Sequence, residues 1–144
     1  QSGVPAEVFE NPNSVAVAQI VNEPPMSVLT AEISNGTFSI GHRMKSQVPV
    51  HLVGVPDGEY QAGFRASELT IGTEGDMTEE GEVDVAEVAG SETLVYLNTP
   101  TGYTIVQEKG IHQYISGDKV GITIPPERAF LFDLSGNLVV APGN

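Results

Sequence analysis

From residue 25 onward, short apolar runs alternate along the chain with residues that favour tight turns. The runs are rich in Val, Ile, Leu and Thr, as strands of a small β protein are. The turn signals between them are Asn35-Gly36, Asp57-Gly58, Gly90-Ser91, Thr101-Gly102, Ser116-Gly117 and Ser135-Gly136-Asn137. This spacing predicts a mainly β fold, either a sandwich or a small barrel.

Residues 1–24 have a different, helical pattern. Pro5 suits a first helical turn, "AEVFEN" follows it, and Pro12 should end the helix. Asn13 or Ser14 can then cap a second helix over "VAVAQIV". Two helices this short rarely hold alone in water. We therefore expect residues 1–24 to be a helical connector docked on a missing domain of a longer protein, and residues 25–144 to form the β domain.

The β region also contains a faint internal repeat. "TAEISNGTF" can be laid on "VAEVAGSET" at an offset of 55 residues, from Thr30 to Val85. Further on, "DGEYQAGFRASEL" can be laid on "SGDKVGITIPPER" at an offset of 59, with Gly58 over Gly117. Two matches in the same order predict a duplicated unit of a β-hairpin and a closing strand, and two copies favour a pair of barrel-like halves.

The segment "GITIPPERAFLF" interrupts an apolar run with two prolines and a charged pair. Pro125 and Pro126 remove two backbone donors, which ends ladder pairing or moves the strand to an edge. If the chain stayed extended, Glu127 and Arg128 would point to opposite faces. The segment predicts a barrel corner whose charges meet nearby backbone or cross-strand partners, with partner binding as the other interpretation.

Composition narrows the function classes. The chain has 144 residues, a formal net charge of −13 and no cysteine. This charge repels nucleic-acid backbones and anionic membrane surfaces. The absence of cysteine excludes disulfides, thiolate metal sites and a cysteine nucleophile.

The sequence signals for a catalytic or metal-binding site are weak. No G-x-x-x-x-G-K-[ST] loop occurs, and "IGTEGDMTEEG" is acidic where a phosphate cradle needs cations. The acidic segment Thr73 to Asp84 lacks the EF-hand register, so a solvated loop is expected there. His42, His51 and His112 are dispersed and lack zinc-site spacing. Asn35-Gly36-Thr37 is either a glycosylation sequon or a hairpin turn, and the hairpin is the stronger reading.

Several of these pieces together resemble one known family. The chain is similar to the tandem OB-like (TOBE) C-terminal regulatory region of ATP-binding subunits from ABC importers of maltose, other sugars, polyols and glycerol 3-phosphate. The matching pieces, in family order, are "GVPAEVFENPNSVAVAQIV", "PPMSVL", "GFRASEL", "GEVDVAEVAGSETLVYL" and "GDKVGITIPPERAFLFDLSG". Where the family usually has Gly-x-Arg-Pro-Glu, Arg65 is kept and Ala66-Ser67 replaces Pro-Glu, whereas "PPER" keeps both features in the second half.

The resemblance implies tandem OB-like barrels with a non-catalytic, regulatory and dimer-supporting role in such an importer. The implied partners are the subunit's own nucleotide-binding domain, a second copy of the subunit, a regulatory protein and, indirectly, the membrane permease subunits. The implied location is cytoplasmic, at the inner face of the plasma membrane. ATP and Mg²⁺ are expected only in the missing nucleotide-binding domain, and no catalytic, cofactor or metal residue is expected here.

Two sets of residues are assigned structural or contact roles. Arg65, Pro125, Pro126, Glu127 and Arg128 form the expected structural motif. Pro24, Pro25 and Met26, in the rigid lead-in "NEPPMSVL", are candidate interface residues, and Met26 is also a core candidate.

Two alternatives come from other classes of protein. The first is a TOBE-type sensor of small ligands or oxyanions, which the scarcity of cations opposes. The second is a secreted acidic β-sandwich binding domain, which the absence of Trp and the few aromatic residues oppose if its ligand is a carbohydrate.

Overall fold

The strands form where apolar and polar residues alternate, and the turns carry the residues that tight turns require. In the first strand, β1 (Ser27–Ser34), buried residues alternate with more exposed ones. Asn35 and Gly36 connect β1 to β2 (Thr37–Ile40) with positive φ angles of 51° and 78°. These angles belong to a type I′ hairpin turn. The hairpin predicted at this sequon is therefore confirmed.

The structure is a computed structural model that describes residues 24–75 and 77–143. Besides β1 and β2, the first half of the described chain contains β3 (Met44–Gln47), β4 (Gly58–Phe64) and β5 (Thr70–Ile71). The second half contains β6 (Thr78–Ala89), β7 (Glu92–Thr99), β8 (Gly102–Lys109), β9 (Lys119–Thr123), β10 (Phe130–Phe132) and β11 (Leu138–Val140). Short 3-10 turns span Val50–Leu52, Ala66–Glu68 and Pro126–Arg128.

This architecture confirms the predicted mainly β, OB-like barrel class. The two predicted helices fall in residues 1–23, outside the described residues, so the helical connector stays a prediction. In the described part of the chain, no helix is long and apolar enough to cross a membrane.

The described strands form two antiparallel sheets that exchange their closing strands. The six-stranded sheet has the order β11-β10-β4-β1-β2-β3, and the five-stranded sheet has the order β5-β9-β6-β7-β8. The short strand β5 follows β4 in sequence but pairs with β9 of the second half. Conversely, β10 follows β9 but pairs with β4 of the first half. Each half therefore completes the sheet of the other.

The register of the two exchanged strands shows that the halves are duplicates. Thr70 pairs with Thr123 in one sheet, and Phe130 pairs with Gly63 in the other. Positions 70 and 130 are equivalent in the two halves, as are positions 63 and 123, and both pairs are separated by the same number of residues. The offset here is therefore 60, one residue more than the sequence match indicated. The hairpins keep the predicted offset of 55, because Ser34↔Thr37 corresponds to Ala89↔Glu92.

The core lies between the two sheets. Most of its residues are aliphatic, and it also contains three fully buried phenylalanines: Phe38, Phe64 and Phe132. Strand β8, at the edge of the second sheet, approaches β1, where the Ile105 backbone N–H donates to Ser27 Oγ at 3.1 Å. A small adjoining cluster joins Met26, Phe130 and Phe132. Burial of each large side chain contributes roughly 1.5–3 kcal/mol.

The prediction of a solvated loop over the acidic segment from Thr73 to Asp84 is wrong for the second half of that segment. Strand β6 begins there, at Thr78. Buried and exposed residues alternate there, so Glu80 and Glu82 face solvent while Glu79 is only 8 % exposed. The reason is tertiary: β9 pairs with residues 78–82 along this stretch, and the sheet turns every second residue inward.

Candidate functional site

The corner at Pro125 is one of the places where the two halves meet. The prolines end the ladder, because β9 stops at Thr123 and β10 starts at Phe130. Between them the chain makes the 3-10 turn Pro126–Arg128. The alternative of an extended chain with Glu127 and Arg128 on opposite faces is therefore not realised. Glu127 is exposed, whereas Arg128 turns back toward the first half.

Arg128 contacts the equivalent corner of the first half. Its Nε lies 3.1 Å from Glu68 Oε2, and its Nη1 donates to the Gly143 carbonyl at 2.6 Å. Glu68 ends the 3-10 turn Ala66–Glu68, as Arg128 ends its own turn. At the offset of 60 the two residues occupy equivalent positions. The two corners therefore contact each other through residues at equivalent positions.

Arg65 adds a second link between the corners. Its guanidinium carbon lies 5.1 Å from the centroid of the Phe130 ring, a cation–π distance. Phe130 begins the strand that follows the second corner. Of the five predicted motif residues, Arg65 and Arg128 thus join the halves directly, while Pro125 and Pro126 shape the turn. The assignment of all five residues to one structural motif stays a prediction.

The three candidate interface residues differ in exposure. Pro25 is exposed and Pro24 is half-buried. Met26 is 2 % exposed and packs with Phe130 and Phe132. The structure therefore places Met26 in the core, as the core interpretation of this residue predicted, and leaves Pro25 as the accessible member of the group.

A surface groove runs beside the second corner. It has a volume of about 770 Å³ and lies between residues 46–53 and the turn Pro126–Arg128. His51 Nε2 donates to the Ala129 carbonyl at 2.8 Å and ties the two walls together. Val50 and Val53 are 91 % and 71 % exposed at its rim. Sequence reasoning missed this groove, although the run "QVPVHLVGV" offered a signal in its clustered valines.

A second site, also missed, surrounds the buried Glu79. Its carboxylate Oε2 accepts a hydrogen bond from Thr101 Oγ1 at 2.6 Å. Oε1 lies 3.5 Å from Arg43 Nε and has no hydrogen-bond partner. The turn that carries Arg43 is close to the turn that carries Thr101, since a Cβ added at Gly41 would clash with Thr101 Cγ2. This cluster, like the corner, joins the two halves.

Two tyrosines on the outer face of the second sheet, the exposed Tyr103 and the half-buried Tyr96, donate hydrogen bonds to carboxylates. Tyr103 donates to Asp84 at 2.7 Å, Tyr96 donates to Glu87 at 3.0 Å, and their ring centroids are 6.4 Å apart. Desolvation, followed by the hydrogen bond to Asp84, raises the pKa of Tyr103 to about 12. Desolvation and a hydrogen bond to Glu108 likewise raise the pKa of Tyr114. Both phenols are therefore neutral donors near pH 7.

The three histidines lie apart and have different partners. His42 is 4.0 Å from Glu32, and His112 Nε2 donates to the Lys109 carbonyl at 2.7 Å. Within residues 24–75 and 77–143, no group of three His, Cys, Asp or Glu side chains could hold a metal ion.

Comparison with known families identifies the class of domain. A family model described as "TOBE domain" matches residues 62–132, which run from β4 of the first half to β10 of the second. The matched range contains both corners and both exchanged strands. Residues 62–132 of this chain are therefore similar to a TOBE domain.

The curated relatives are ATP-binding subunits of ABC importers for sugars and glycerol 3-phosphate. The chain is 29 % identical over 141 residues to the sn-glycerol-3-phosphate import ATP-binding protein of Psychromonas ingrahamii, covering 92 % of this chain and 37 % of that protein. It is 28 % identical to the lactose transport ATP-binding protein of Rhizobium radiobacter, covering 96 % and 41 %. It is 30 % identical to the maltose/maltodextrin import ATP-binding protein of Vibrio parahaemolyticus, covering 94 % and 39 %. The chain thus spans about two fifths of these relatives.

A solved structure shows the same fold. The cytoplasmic molybdate-binding protein ModG, with molybdate bound, superposes with a TM-score of 0.54 over 81 % of this chain and 96 % of that chain. The identity is 12 %. This likeness concerns the fold alone.

Proposed function

We propose that this chain is the non-catalytic, C-terminal regulatory domain of an ABC importer's ATP-binding subunit. One observation carries the proposal: more than nine-tenths of the chain is related to import ATP-binding proteins, of which it spans only about two fifths. The parent complex would take up a sugar, polyol or glycerol phosphate. Hydrolysis of ATP, with Mg²⁺, would belong to the rest of the subunit, because this sequence has no G-x-x-x-x-G-K-[ST] loop.

The exchange of β5 and β10 supports a mechanical role. Each half of the domain is completed by a strand of the other, so the halves cannot separate without breaking both sheets. A rigid body of this kind can bias an open or closed transporter only if its contacts differ between the two states. The domain would therefore act through its surface, against its own nucleotide-binding domain, a second copy or a regulatory protein.

The groove beside the second corner is our candidate for such a contact. Val50 and Val53 are exposed at its rim, and Arg128 and Glu127 lie on its opposite wall. Apolar residues flanked by charged ones are typical of protein interfaces. We place the second copy of the subunit there, at the cytoplasmic face of the membrane.

The test uses the full-length subunit assembled with its permease. Val50→Asp with Val53→Asp should weaken association of the two ATP-binding subunits and lower transport per ATP hydrolysed. Ile115→Asp, which alters another exposed apolar residue, serves as the matched control. Equal behaviour of the groove variant and the control would reject the groove as the contact. A parent protein without a nucleotide-binding domain would reject the proposed function itself.

The isolated chain gives a simpler first measurement. Light scattering over a concentration series, at low and moderate salt, reports whether the chain contributes a dimer interface of its own. A dimer should weaken at low ionic strength, because each copy carries −13. A monomer at every concentration would mean that the dimer contacts of the parent complex come from elsewhere.

A further inference from the structure

A cavity of about 410 Å³ opens beside Glu79, and it shares no lining residue with the corner groove. Its walls come from both halves of the domain. They include Arg43, Met44, Thr73, Thr78, Glu79 and Gly121. The volume falls in the range of small-molecule sites, about 300–1,000 Å³.

The carboxylate of Glu79 is the unusual feature of this cavity. The residue is 8 % exposed, and its Oε1 has no hydrogen-bond partner. Thr101 satisfies the other oxygen. Buried carboxylate oxygens are ordinarily hydrogen-bonded, and an exception calls for a specific explanation. The nearest cationic atom, Arg43 Nε, is 3.5 Å away, an ion-pair contact rather than a hydrogen bond.

Arg43 is able to uncover this oxygen. Its side chain is 62 % exposed, whereas that of Glu79 is 3 % exposed. An exposed arginine on the surface of the cavity can rotate toward solvent and can donate to a bound molecule from a new position. Oε1 would then be free to accept a hydrogen bond from that molecule.

The chemistry of the walls selects the class of ligand. A carboxylate only accepts hydrogen bonds, a guanidinium only donates them, and the hydroxyls of Thr73 and Thr78 do both. A compound with several hydroxyl groups complements all three. Glu79 and the neighbouring Glu80 repel anions, and Arg43 opposes a bare metal ion. Met44 is the sole aliphatic side chain of any size among the lining residues, so an apolar ligand would find little surface.

We propose that the cavity beside Glu79 binds a small neutral polyhydroxy compound, a polyol or monosaccharide. One ligand hydroxyl donates to Glu79 Oε1, and Arg43 donates to another ligand oxygen. Because the cavity walls belong to both halves, an occupied site would tie the halves together more firmly. The inference rests on the geometry and chemistry of the cavity, and not on the proposed function.

Calorimetry on the chain with glycerol, mannitol, glucose and sn-glycerol 3-phosphate tests the proposal. Glycerol and its phosphate differ by an anionic group and so isolate the effect of charge. We expect saturable 1:1 binding of at least one neutral probe, and weaker or no binding of the phosphate. Arg43→Gln and Glu79→Gln should each weaken binding by about tenfold or more, as loss of a hydrogen bond to a charged group does.

Two variants act as matched controls. Lys45→Gln removes an exposed cation near Arg43, and Glu59→Gln removes an exposed carboxylate, both outside the cavity. Both should leave the affinity unchanged. Arg43→Gln changes an exposed side chain, so it remains informative even if Glu79→Gln fails to fold. Absence of binding by all neutral probes, tighter binding of the phosphate, or equal effects of Arg43→Gln and Lys45→Gln would each overturn the proposal.

Discussion

At the scale of single residues, a few polar contacts link the two halves. Arg128 with Glu68, and Arg43 with Glu79, are ion pairs that each take one residue from either half. Glu68 and Arg128 are about two-thirds buried, so their pair is screened less than a fully exposed one. Of the two charged residues that interrupt the apolar run at the second corner, Arg128 is thus explained by a partner 60 residues away in sequence.

The Arg128 contact gives a prediction for stability. Arg128→Ala removes the ion pair with Glu68 and the hydrogen bond to the Gly143 carbonyl. We expect the free energy of unfolding to fall by about 1 kcal/mol. Urea denaturation measures it, with Lys45→Ala, at an exposed position, as a control that should stay within about 0.5 kcal/mol. A double-mutant cycle with Glu68→Ala that shows no coupling would contradict the role of the pair.

Tyr103 gives a prediction for alkaline pH. Its pKa is raised from 10.0 to about 12 in the folded state, by desolvation first and then by the hydrogen bond to Asp84. The unfolded chain therefore loses this proton at lower pH than the folded chain. The stabilisation is fully present below pH 10 and is lost as the pH rises toward 12. The melting temperature of Tyr103→Phe should fall less steeply over this window than that of the wild type, and parallel curves would contradict the prediction.

At the scale of elements, the pairing of β4 with β10 depends on one glycine. Gly63 pairs with Phe130, and a Cβ at this position would clash with Met26 Sδ and would lie 3.0 Å from Phe132 Cε2. Gly63 is also the glycine of "GFRASEL", the piece in which the family usually has Gly-x-Arg-Pro-Glu. The close approach of Met26 and Phe132 is a physical reason for a glycine at this position.

Gly63→Ala should therefore overpack the small cluster of Met26, Phe130 and Phe132. We expect a loss of about 1–3 kcal/mol in the free energy of unfolding. The control is Gly143→Ala, where the added Cβ meets nothing within 4 Å. Met26→Ala combined with Gly63→Ala should cost less than the sum of the two single changes, because the first makes room for the second. Strict additivity would show that the two side chains do not compete for the same space.

At the scale of the whole molecule, the two halves are mutually dependent. Strand β5 of the first half completes the second sheet, and β10 of the second half completes the first. The main core cluster also draws its residues from both halves, from Leu29 to Leu131. A half alone would lack its closing strand and would expose the edge and inner face of its sheet to water.

We expect residues 24–76 and residues 77–144, expressed separately, to be unfolded. Mixed together, they should associate and recover the circular dichroism spectrum of the intact chain, because the exchanged strands supply the missing edges. Circular dichroism and analytical ultracentrifugation provide the readout. Cooperative unfolding of either half alone would contradict the dependence inferred from the strand exchange.

Much of this organisation follows from local sequence. The turn at Asn35-Gly36, the repeated hairpins and the interruption of the ladder at Pro125 depend on residues within a few positions of one another. Backbone freedom at Asn-Gly and the missing N–H of proline act in any context. Strand-like runs and turn spacing therefore predicted a mainly β duplicated domain, and the family resemblance added its class.

The tertiary structure decided which charges are buried and where the last strand of each half pairs. Glu79 lies in an acidic stretch that resembles a solvated loop, and only its pairing with β9 turns it inward. The partner of Arg128 and the opening beside Arg43 likewise depend on contacts between halves that are far apart in sequence. Local patterns set turns and strand propensity because they act over a few bonds. Sites that need side chains from both halves exist only after the strands have been exchanged.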